Sequence, residues 1–81
     1  MDVIAVVPDS YELEIQFVAA SRDSALERLK QDTPGVERWY EMVEEHGDWV
    51  VRALLKERQM LNGHELPVIL RWQLQTVAYV A

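Results

Sequence analysis

The chain has 81 residues, no cysteine and a formal net charge of −6, with 49% apolar residues. That is length for one domain, with enough apolar content for a core, and it excludes disulfides, thiolate metal sites and thiol nucleophiles. Residues 1–48 hold 12 acids and 4 bases and residues 49–81 hold 2 acids and 4 bases, so the first half would repel a phosphate backbone and attract a basic protein surface.

Val3–Val7 is a run of mostly β-branched residues and predicts a buried strand. No basic segment precedes it, the run is short, and no apolar stretch approaches the roughly 18 residues that span a bilayer, so no secretory signal and no membrane association are expected and the cytoplasm is the expected location. Pro8-Asp9-Ser10 predicts a turn. Tyr11, Leu13, Ile15 and Phe17 then alternate with Glu12, Glu14 and Gln16, which predicts a second strand, antiparallel to the first, with an acidic outer face.

Ser24 followed by Glu27 fits a capping box and predicts a first helix ending near Gln31 or Asp32. Thr33-Pro34 predicts a second helix start, and Val36, Trp39, Tyr40 and Val43 have helical spacing with Glu37, Glu41, Glu44 and Glu45 on or beside the opposite face. Gly47 fits a C-terminal cap, and Asp48 fits the N-cap of a third helix from about Trp49 to Leu61, where residues 53–60 are nearly all good helix formers. Residues 49–51 are also compatible with extended structure, and Asn62-Gly63 fits either a helix cap or a hairpin; the lack of alternation before it favours the cap.

Pro67 holds Leu66 extended, and Val68 to Val80 predicts the last strand, with Val68, Leu70, Trp72 and Leu74 on one face and Arg71, Gln73 and Gln75 on the other. Beyond Thr76 both faces are apolar, which predicts burial in the sheet centre or a homodimer through this C-terminal strand. The expected fold is α+β, a small three-stranded antiparallel sheet packed against two or three helices in the order β-β-α-α-α-β. The opening β-β-α order, about the first 32 residues, loosely resembles the partial RNase-H-like fold of HicB antitoxins, and the alternative expectation is accordingly an antitoxin or adaptor neutralising one cognate protein; the rest of the chain has no operator-binding signature.

Chemistry-bearing patterns are sparse. His46 and His64 fall in no metal-ligand spacing, Ser10, Ser21 and Ser24 sit where turns and caps want them, and the three glycines are scattered. No cofactor, no metal and no catalytic residue is expected, and a small enzyme using His46 and His64 is the remote alternative. The informative feature is acidity. Glu37, Glu41, Glu44, Glu45 and Asp48, with Glu12 and Glu14 on the second strand, form a candidate docking surface for Lys/Arg-rich sites on a protein partner, with Tyr40 and Trp49 as aromatic anchors. Like-charged pairs such as Glu37/Glu41 and Glu41/Glu45 tax a helix by a few tenths of a kcal/mol each, a cost that function would explain, although a solvated acidic face serves solubility equally well. In size and charge the chain is similar to phage-encoded inhibitors, anti-CRISPR proteins among them. The expected function is therefore a non-enzymatic inhibitor that blocks a basic nucleic-acid-binding surface of a larger complex without binding nucleic acid itself.

Overall fold

A computed structural model describes residues 1–9 and 14–78. The elements in chain order are β1 (Asp2–Pro8), β2 (Phe17–Ala19), α1 (Arg22–Asp32), β3 (Val36–Trp39), β4 (Val43–Glu45), β5 (Asp48–Leu61) and β6 (His64–Ala78). The strands form one six-stranded sheet in the order β2-β1-β6-β5-β3, with β4 also on β5, and every pairing is antiparallel. The expected three-stranded sheet on two or three helices is therefore wrong: the fold is mostly sheet, with one helix among the described residues.

Each correction has a local cause. The expected second helix is β3 and β4, two short strands that pair successive stretches of β5. A register shift between Val36 and Arg38, and the break at residues 40–42, disrupt the two-residue alternation and leave an accidental helical spacing. The expected third helix is the strand β5. Helix propensities differ by only tenths of a kcal/mol among ordinary residues, and β5 is paired on both sides while burying Val50, Val51, Ala53 and Leu55. The expected strand over residues 11–17 keeps only its end, since β2 begins at Phe17 and Glu14 to Gln16 lie outside it; Tyr11, Glu12 and Leu13 fall outside the described residues.

The helix ends where expected but starts earlier. Ser21 is the N-cap, its hydroxyl accepting from the Ser24 backbone N–H at 3.1 Å, while the Ser24 side chain answers the Ser21 backbone in a capping box shifted by three residues. The two remaining glycine signals close hairpins and do not cap helices. Between Glu45 and Asp48, His46 and Gly47 have φ of 53° and 86°; between Leu61 and His64, Asn62 and Gly63 have 52° and 77°. Positive φ at both central residues is what a type I′ turn requires. A Cβ at Gly63 would meet nothing within 4 Å, so Gly63→Ala should cost only the backbone strain, about 1 kcal/mol, read as a shifted urea midpoint with unchanged slope.

The core lies on one face. Ile4 and Val6 of β1, Phe17 of β2, Val51 and Ala53 of β5, and Trp72 and Leu74 of β6 pack with Ala25 and Leu29 of α1. The Trp72 indole N–H donates to Gln16 Oε1 at 3.1 Å, and its ring stacks on Trp39 with centroids 5.7 Å apart. On the other face no described element lies over the sheet. Ala5, Val7 and Val50 are still buried there, in register with Gln75 and Gln73, whose side chains join by a 3.2 Å hydrogen bond. Beyond the bulge between Leu54 and Arg58, the β5–β6 hairpin runs on as a two-stranded ribbon with Met60 and Leu61 exposed at its tip.

Over residues 72–78 β6 pairs with β1 on one side, and over residues 69–74, and again over 64–67 beyond the bulge, with β5 on the other. Where both neighbours are present it offers no free edge for a second copy. Val77 is half-buried, Ala78 is exposed, and Tyr79 and Val80 lie outside the described residues.

Candidate functional site

The acidic residues from Glu37 to Asp48 sit on strands at a sheet edge and in the turns beside them, not on a helix, and strand register divides them among different surroundings. Glu37 on β3 accepts from Arg58 Nη2 at 3.0 Å. Arg58 is itself anchored, its other terminal nitrogen donating to the carbonyl oxygens of Leu55, Lys56 and Glu57. Glu45 on β4 accepts from Arg71 Nη2 at 2.8 Å across the uncovered face. These two carboxylates are already engaged by the chain's own arginines. Asp48 is half-buried opposite Glu45 at the turn. Glu14 is exposed and far along the chain from this edge, and Glu12 lies outside the described residues.

Glu41 and Glu44 are placed differently. β4 pairs with β5 so that Glu44 stands opposite Trp49, and opposite residues of an antiparallel pair share a face. The segment between β3 and β4 carries Glu41 and Met42 past the same indole. The first turn of α1 closes the other side, giving a hollow of about 460 Å³ lined by Ser21, Arg22, Asp23, Leu26, Glu41, Met42 and Trp49. Trp49 is half-buried at its base, and the Arg22 guanidinium lies over the ring, 4.1 Å from the centroid. Among the described residues neither Glu41 nor Glu44 forms an ion pair. The site is an aromatic platform with unengaged carboxylates beside it, and a guanidinium rests on it through a contact worth about 0.5–1 kcal/mol at an exposed position.

Of the residues expected to form one surface, the fold thus gathers Trp49, Glu41 and Glu44. Tyr40 goes to the opposite face, where Arg38 and Arg52 approach its ring at 5.0 and 5.5 Å. Arg22, Asp23 and Met42 were missed. No local pattern marks them, because Arg22 and Trp49 are far apart in sequence and meet only through tertiary packing.

The geometry also separates the histidines. His46 lies in the turn before β5 and His64 opens β6 just past the turn at its other end; β5 is a strand of 14 residues, so roughly 45 Å divides them at about 3.3 Å per residue. They cannot act on one substrate atom. Among the described residues no group of three His, Asp or Glu side chains is placed to hold a metal ion, and no helix is long and apolar enough to cross a membrane. No family model, no curated protein and no solved structure matches the chain.

Proposed function

We propose that the chain is a non-enzymatic protein-binding module of the inhibitor type, which docks on the basic surface of a larger partner through the Trp49 hollow. One observation carries this reading: Trp49, flanked by Asp23, Glu41 and Glu44, already holds a guanidinium 4.1 Å from its ring centroid. An arginine or lysine from a partner would take the place of Arg22 on this platform, beside the same carboxylates. The indole supplies contact area at little conformational cost, and the acids raise the rate of encounter with a basic surface.

Docking there would cover cationic side chains that their owner uses for phosphate contacts, and inhibition follows by occupation. The surface is smaller than the whole acidic edge, because Glu37 and Glu45 are held by Arg58 and Arg71. The test is calorimetric titration of the full chain with hexa-arginine. Glu41→Lys with Glu44→Lys should abolish most of the affinity, whereas Glu37→Gln should change it little. Equal losses from the two variants would reject the hollow as the site.

A further inference from the structure

We infer that the face of the sheet opposite α1 carries a second binding site, for a carboxylate-rich protein segment, built from Arg38, Tyr40 and Arg52. The inference does not rest on the Trp49 hollow, which lies on the other face.

Register places these groups. Tyr40 donates its backbone N–H to the Arg52 carbonyl at 3.0 Å, and Arg52 is the direct partner of Arg71 on β6. A row Tyr40–Arg52–Arg71 therefore crosses three strands. Arg38 stands opposite Leu54, which stands opposite Ile69, forming the neighbouring row on the same face. Like charges directly opposite across a strand pair repel, yet Arg52 and Arg71 hold that relation. Arg71 is neutralised by Glu45 at 2.8 Å and Asp9 at 3.6 Å. Arg52 and Arg38 are not: among the described residues neither lies within ion-pair distance of a carboxylate, and both lean on the Tyr40 ring.

Among the described residues, a chain with 14 acids and 8 bases thus leaves the exposed Arg38 and Arg52, like Arg22, without a carboxylate, and orders these two against one aromatic ring. The ring limits the rotamer freedom that each arginine would lose on binding, and the planar guanidinium suits the bidentate acceptor that a carboxylate is. The adjoining row adds Leu54, half-buried, and Ile69, 50% exposed, which fits the aliphatic side chains of a peptide. The short cationic row and the net charge of −6 disfavour a nucleic acid, whose affinity grows with the number of phosphates neutralised along a strand.

The test is a titration of the isotopically labelled full chain with hexaglutamate at low ionic strength, followed by amide and arginine Nε shifts, with hexathymidylate in a parallel arm. Saturable shifts centred on Arg38, Tyr40 and Arg52 are expected. Arg38→Gln with Arg52→Gln should weaken hexaglutamate binding about tenfold or more, and if that variant loses amide dispersion, Tyr40→Leu is measured in its place with the same expectation. Absent shifts, shifts centred on Arg22, Arg28 or Lys30, unchanged affinity in the variant, or tighter binding of hexathymidylate would each overturn the inference. Self-association of the free chain that the same variant abolishes would also overturn it, by making a second copy the occupant.

Discussion

Trp72→Ala is expected to lower the melting temperature by about 12–40 °C, because such a truncation costs about 3–5 kcal/mol and each kcal/mol is worth about 4–8 °C in a domain of this size. Trp72 is 5% exposed in the central strand pair of the sheet. It contacts material from three parts of the chain: it packs in the cluster that α1 closes, it stacks on Trp39 of the edge strand, and it hydrogen-bonds Gln16 ahead of β2. Its removal leaves a cavity that the flanking strands cannot close and removes the hydrogen bond that ties Gln16 to β6. Total stability at this length is about 4–12 kcal/mol, so the loss is a large fraction of it. Trp49→Ala serves as the comparison, since that ring is only half-buried and should cost much less. A thermal scan by circular dichroism distinguishes them; a shift below about 5 °C for Trp72→Ala would mean that the helix-facing side of the sheet is not the core.

The second large effect is on binding. Replacing Glu41 and Glu44 together by lysine exchanges two attractive charges for two repulsive ones beside Trp49. At about 0.2–1 kcal/mol per exposed pair, counted twice for a reversal, the double variant should lose about 0.8–4 kcal/mol and bind hexa-arginine from about fourfold to several-hundredfold more weakly. The difference should shrink as salt shortens the Debye length below about 10 Å. Both side chains are exposed, so the fold should tolerate the change, and an unaltered thermal midpoint would verify that.

How much of this was legible follows from which contacts are local. β1 is a β-branched run, β6 keeps its alternation from Val68 to Gln75, and the end of α1 near Asp32 is marked by Thr33-Pro34; all three follow from neighbours in sequence. β3, β4 and β5 do not. Their alternation is interrupted at Val36–Arg38, at residues 40–42 and at Leu54–Arg58. Each interruption shifts the face of the residues that follow, so Val36, Trp39, Tyr40 and Val43 imitate one face of a helix while Trp39 and Tyr40 point to opposite sides of a sheet. Asn62-Gly63 was ambiguous for the same reason, since the bulge hides the strand before it.

The site was legible in part. Glu41, Glu44 and Trp49 are close enough in sequence to be grouped, although for a helical reason that does not hold. The division of the acids between free and engaged was not legible, because Glu37–Arg58 and Glu45–Arg71 are set by pairing across β3–β5 and β4–β5–β6. The Arg38–Tyr40–Arg52 cluster depends on the same register and has no sequence signature of its own.

The central claim is that a basic partner is received at the Trp49 hollow and not by the acidic surface at large. The most direct measurement is a chemical-shift map of the full chain titrated with hexa-arginine, read at backbone amides and at the tryptophan indole N–H groups. The Trp49 indole, the amides of Glu41 to Glu44 and the first turn of α1 are expected to move together and saturate, while Glu27, Asp32, Glu57 and Glu65 stay fixed. Shifts spread over those outlying acids, with the Trp49 indole unmoved, would contradict the central claim.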